Sequence, residues 1–194
     1  KLSEGSWGIV RVHDKLQKDL KPLPNNKNPR KSAKQLCPKG APVKNFSVVA
    51  INTALKFNPN TEDEIEVDFE RKLLLTNADA KIFALEGEMA KAAADGKHPH
   101  PLTLRANIGE CIKVKLTNRL KKGNASIHAN NIAFDPLDSQ GINVGNNPGD
   151  QTVKPGKSKV YTFYAHKDFN INGALLWDFG DITDNVRSGM YGGI

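Results

Sequence analysis

The sequence predicts an all-β protein, a Greek-key antiparallel β-sandwich with one short surface helix. Three observations predict it. Several short segments alternate apolar and polar residues with a period of two, as a half-buried strand does. Gly, Pro and Asn turn signals punctuate the chain at short intervals. One stretch only, residues 85–95, carries the Ala, Glu, Lys and Met composition that favours a helix.

Taken in order, residues 5–12 (GSWGIVRV) read as a short strand, with aromatic and β-branched residues after a Gly-Ser opening. Residues 13–42 are rich in Lys, Pro and Asn, too polar to bury a face and interrupted by prolines that cannot donate to a ladder. That is linker composition. The expected organisation is therefore 1–12 as the last strand of a preceding unit, 13–42 as a basic linker, and 43–194 as the sandwich domain. Residues 46–51 form a dense apolar run, 65–69 (IEVDF) alternate, and 112–116 (IKVKL) repeat the alternation. Between them lies the expected helix over 85–95, which Gly96 is placed to cap. Turns are expected at 107–109, 122–124, 146–149 and 154–156, the last leading into a strand over 159–164. A short echo links the two ends: Gly5, Trp7 and Gly8 match Gly189, Tyr191 and Gly192, as though one repeating unit began where another ended.

A chain of 194 residues supports one good core. No apolar stretch is long enough to cross a bilayer, so no membrane span is expected. The net charge is +7, which invites a nucleic-acid reading because clustered Lys and Arg displace counterions from phosphate. Much of the excess sits between Lys15 and Lys44 with no aromatic residue among it, so a stacking platform is missing and nucleic acid is not expected as a partner. The chain begins at Lys1 with no secretory leader before it, which leaves export undecided. The two cysteines, Cys37 and Cys111, admit three readings: a disulfide, two buried thiols, or metal ligands. Zinc-type spacing is absent and no His lies within a few residues of either. The disulfide is the reading carried forward, and it implies an oxidising compartment. Phosphate-loop, serine-hydrolase and zincin motifs are all missing.

Residues 101–120 (PLTLRANIGECIKVKLTNRL) resemble the start of a cupredoxin domain of the multicopper oxidase family. The resemblance continues in the family's order through 126–129 (SIHA), 143–153 (NVGNNPGDQTV), 154–164 (KPGKSKVYTFY) and 173–176 (GALL). Residues 37–42 (CPKGAP) are similar to the opening of such a domain in the large, ceruloplasmin-like relatives that oxidise metal ions. It covers residues 37–194, with 1–12 looking like the tail of the preceding cupredoxin unit. The family holds copper with a late His-Cys-His-x3-His-x4-Met motif and with His-x-His pairs, because thiolate and imidazole suit copper and a weak axial thioether tunes its potential.

Aligning Gly189 and Met190 with the family's terminal Gly-Met places Phe179, Gly180 and Asp181 where His-Cys-His would stand, and Asn185 at the following His. The early pair keeps His128 and has Asn130 for its second imidazole. The resemblance therefore implies degenerate copper-ligand positions, no type 1 site, no catalytic residue in this segment, and copper held only by other parts of a parent protein. His128 is expected either as a structural histidine or as one ligand of a copper shared with a neighbouring domain. Met190 is expected as a core or edge methionine.

Other constellations have blander readings beside their functional ones. His98 and His100 fit a surface metal site or a solvated turn, and the acidic residues Glu62, Asp63, Glu64, Glu66, Asp68 and Glu70 fit a cation-attracting patch or the wet face of a strand. Asp178 and Asp181 either contact passing cations or cap turns. Asn45 and Asn124 head glycosylation sequons. Two functions follow: a copper-free structural domain of an exported multicopper oxidase that oxidises Mn- or Fe-class ions or small reductants with oxygen, or a non-enzymatic module that assembles with copies or partners by strand complementation. Both place the protein outside the cell, in a periplasm or at a cell surface, and its partners are neighbouring cupredoxin domains or other copies.

Overall fold

The computed structural model describes Lys15 and residues 35–56, 65–68, 71–73, 76–94, 101–143, 150–168 and 172–194. The chain divides into two units, Lys1–Lys31 and Ser32–Ile194. The strand expected over 5–12, residues 13–34 of the expected linker apart from Lys15, the turn at 146–149, Gly96, His98 and His100 lie outside the described residues.

The strands are β1 (Val43–Lys56), β2 (Ile65–Asp68), β3 (Arg71–Leu73), β4 (Thr76–Leu85), β5 (Leu102–Thr103), β6 (Cys111–Asn118), β7 (His128–Ala129), β8 (Ala133–Phe134), β9 (Ser158–Tyr164), β10 (Leu175–Trp177) and β11 (Tyr191–Gly193). A 3-10 turn at Glu86–Glu88 runs into the helix α1 (Met89–Ala94), within the stretch expected to be helical. Two sheets stack, one of order β4-β1-β6-β9-β8 and one of order β5-β11-β10-β7, with β2 and β3 as a separate ribbon. Most ladders are antiparallel, as expected, but β1 pairs with β6 and β5 with β11 in parallel. The reason is the connection. Between β1 and β6 the chain passes through β4 and α1, long enough for the crossover that a parallel pair requires.

The alternation read from the sequence reports which faces are wet. On β6, Ile112, Val114 and Leu116 are buried while Lys113 and Lys115 are exposed. On β1 the apolar run is continuous because both faces are covered. Val48 and Ala50 point into the sandwich with Phe83, Ile112, Tyr161, Phe163, Leu176 and Met190. Val49 and Ile51 point the other way, into a second cluster with Ile82, Ala84 and Ala92 of α1. The six-residue helix is too short to stand alone and is held by this packing and by the Thr53 hydroxyl, which donates to the Ala92 carbonyl at 2.9 Å.

Tyr161 is fully buried, and its hydroxyl donates to the Gln151 carbonyl at 2.7 Å. Cys37 and Cys111 form a disulfide across 74 residues, with Cα atoms 5.7 Å apart. The bond ties the end of the expected linker to the first residue of β6, where the Cys111 amide also donates to the Pro42 carbonyl at 2.8 Å. Among the described residues no helix is long and apolar enough to cross a membrane.

Candidate functional site

The pairing of β10 with both its neighbours builds the site. Trp177 lies opposite His128 on one side and Tyr191 on the other, so the loops before β7, after β10 and before β11 meet at one end of the sandwich. There the chain brings together His128, Asn130, Phe179, Gly180, Asp181, Asn185 and Met190, all seven positions singled out by resemblance.

Asp178 is the hub of this end. It is fully buried, its Oδ1 accepting from the Ser126 amide at 2.6 Å and its Oδ2 from the Asp181 amide at 3.1 Å and from Asn185 Nδ2 at 2.8 Å. Burial pushes its carboxyl up to about 6, and the hydrogen bonds pull back against that rise. Asn185, also fully buried, donates from Nδ2 to the Asn124 carbonyl at 2.9 Å and accepts from Lys81 Nζ at 2.8 Å. Lys81 is itself buried and forms an ion pair with Asp184. The Ser126 hydroxyl accepts the Phe179 amide at 2.8 Å. Asp181 is exposed and caps the following turn, accepting from the Asp184 amide at 3.1 Å and from the Thr183 hydroxyl at 3.0 Å, and these bonds lower its carboxyl below the usual range.

His128 is half-buried and held on three sides. Nδ1 donates to the Gln140 carbonyl at 2.7 Å, the side-chain amide of Asn130 lies 2.9 Å from Nε2, and the ring stacks on Phe179 with centroids 4.6 Å apart. Met190 is fully buried in the main core. Gly180 sits against backbone: a Cβ there would lie 2.6 Å from the Asn124 carbonyl oxygen and 2.9 Å from the Ala125 Cα.

The fold has counterparts among known structures. Among solved structures the chain is similar to a multi-copper oxidase from Pseudomonas Thermotolerans, at TM-score 0.52 and 15% identity over 79% of this chain and 29% of that one. It is similar also to a second multicopper oxidase, at TM-score 0.50 and 18% identity over 84% of this chain and 44% of the other. A third, the multicopper oxidase mgLAC, matches at TM-score 0.50 and 17% identity over 78% and 38% of the two chains. The fold is cupredoxin-like. This chain spans less than half the length of each of these proteins. No protein-family model matches it, and no curated protein matches it in sequence.

The cupredoxin-like fold implies copper, and the residues present can be tested against that metal. They do not fit. A blue centre needs a thiolate beside imidazoles, whereas both cysteines are consumed in the disulfide and both nitrogens of His128 face protein partners. Among the described residues no three His, Cys, Asp or Glu side chains converge as ligands.

The remaining candidates stand apart. Asn45 is exposed on β1, whereas Asn124 is half-buried and donates to the Thr152 hydroxyl at 3.0 Å. Of the acidic run, Glu66 and Asp68 fall on β2, and the side chains of the whole run lie outside the described residues. Lys81 and Asp184 were not singled out from sequence, and Ser126 entered only as part of residues 126–129 and of the Asn124 sequon. Lys81 did leave a signal, a single charge inside the apolar run Ala80, Ile82, Phe83, Ala84.

Proposed function

We propose that this chain is a copper-free structural cupredoxin-like domain of an exported multicopper oxidase. In this reading the parent passes electrons from a metal ion of the Mn or Fe class, or from a small reductant, to oxygen through copper held by other domains. The observation that carries it is Gly180: the position aligned with the copper thiolate has its Cα packed on the backbone of residues 124–125, with no space for a Cβ. The end of the sandwich that holds the metal in a blue cupredoxin is here filled by the Asp178, Asn185 and Lys81 network, so its loops are fixed by hydrogen bonds. The disulfide supports an oxidising compartment outside the cytosol.

The test is recovery of the natural full-length product with an antibody against this chain, followed by peptide mapping, copper analysis and oxygen-consumption assays with Fe(II) and Mn(II). A longer copper-containing product that consumes oxygen with either ion supports the proposal. A product ending near residue 194 and free of copper overturns it in favour of the assembly module.

A further inference from the structure

We propose that the opposite end of the sandwich carries a binding site for a small organic carboxylate with an apolar body. β10 runs from one end to the other: Trp177 adjoins the Asp178 network, while Ala174, just before the strand, opens into a cavity of about 510 Å³. A cavity of that volume lies in the range that encloses small molecules. Its floor is apolar and rigid. Leu104 and Ile112 are 2% and 0% exposed, and both belong to the main core, so the floor is continuous with the sandwich.

The rim is polar: no Asp or Glu side chain is among the lining residues, whereas Arg105 and His166 are, and the Ile194 main chain is held at the wall by the Ala174 amide, which donates to its oxygen at 3.0 Å. Arg105 forms no ion pair or side-chain hydrogen bond with any described residue, so its guanidinium fork is available for a two-point grip on a carboxylate. Two acids stand beside lining residues, outside the lining itself. The Glu110 carboxylate accepts from the Asn107 backbone amide at 2.7 Å and from the Asn107 side chain at 3.2 Å. The Asp168 amide donates to His166 Nδ1 at 3.1 Å, and the Asp168 side chain is exposed. Lys39 and Lys167 line an adjoining hollow that shares Ile108 with the cavity and adds positive charge at this end. Asn131 stands on the rim with φ of 61°, the one described non-glycine residue in the left-handed region, so the wall turns sharply there. A buried apolar floor with one unengaged Arg among its lining residues selects an anion with a hydrocarbon body, and charge alone or oil alone satisfies half of it.

The experiment is a nitrogen-15 NMR titration of the whole chain with hexanoate and, separately, with hexanol and acetate. Saturable shifts centred on residues 104, 112 and 174 with hexanoate are expected, with hexanol and acetate each binding at least about tenfold more weakly. Arg105→Gln, an exposed change that leaves the spectrum otherwise intact, is expected to weaken hexanoate by about tenfold or more, the loss of a charge-assisted pair. Gly173→Trp is a second probe, because a Cβ there meets only the Ile194 carbonyl oxygen at 3.6 Å and the ring has open space to fill. It is expected to abolish binding. Unsaturable shifts, shifts confined to surface lysines, or equal affinity in Arg105→Gln would overturn the proposal.

Discussion

Asp178 combines two opposed effects, three good donors and complete burial, and burial dominates: the carboxyl rises from 3.8 to about 6. A raised carboxyl binds its proton more tightly folded than unfolded, so folding stability from this group is greatest below about pH 4 and declines as pH rises to about 6. Asp178→Asn separates the effects. Its NH2 would face two donors, the Asp181 amide and Asn185 Nδ2, so a cost of about 1–3 kcal/mol is expected at acid pH. The wild-type advantage should then fall by about 2 kcal/mol between pH 4 and pH 7 and vanish or reverse, since a rise of about two pKa units is worth about 3 kcal/mol in full and part of it is already lost at pH 4. Glu110, Asp150 and Asp181, whose carboxyls are lowered, lose stability as pH falls but do so in both proteins and cancel. Urea midpoints across pH read this directly, and a difference that does not vary with pH contradicts it. Gly180→Ala is the second residue-scale test: a methyl 2.6 Å from a carbonyl oxygen should cost about 1–3 kcal/mol by thermal melts, and a neutral outcome means the backbone there yields. That His128, Asn130, Phe179, Asn185 and Met190 meet at one end of the sandwich was legible in sequence, because their order and spacing could be read against Met190. The network that joins them was not, since Lys81 lies 103 residues from Asp184 and nothing local announces their contact.

At the scale of elements, β4 is an edge strand, and its Lys81 has become a clamp. The Lys81 amide donates to the Ser188 carbonyl at 3.0 Å while Nζ reaches Asn185 and Asp184, so the loop before β11 covers the strand's open side. Lys81→Met should cost about 1–3 kcal/mol, leave the Asn185 oxygen unpaired, and speed amide exchange at residues 185–190; unchanged exchange there contradicts the clamp. On the other side of β1, Ala92→Glu buries a charge among Val49, Ile51 and Ile82 and should release α1, lowering stability by about 2 kcal/mol or more without touching the sandwich interior. The alternation of residues 112–116 predicted β6 because its outer face is wet. The run 46–51 does not alternate because α1 dries the outer face of β1, and a continuous run is equally compatible with a buried helix until the flanking β-branched residues are weighed. Two-residue strands such as β7 and β8 left no periodic trace at all, being too short to show a period of two.

At the scale of the whole sandwich the two ends differ: one is filled by an internal polar network, the other is stapled by Cys37–Cys111 beside an open cavity. Closing 74 residues of chain is worth about 4 kcal/mol in the chain-entropy model. The Cys37→Ser, Cys111→Ser double variant should therefore melt well below the wild type, and reductant should lower the wild type toward it. The central claim is that this chain keeps the cupredoxin architecture without the chemistry to grip copper. The most direct measurement is to expose the folded, purified chain to excess Cu(II) and Cu(I), desalt it, and record metal content by mass spectrometry together with the visible spectrum. The account predicts no retained stoichiometric copper and no thiolate-to-copper band; one tightly held copper with an intense blue colour would contradict it.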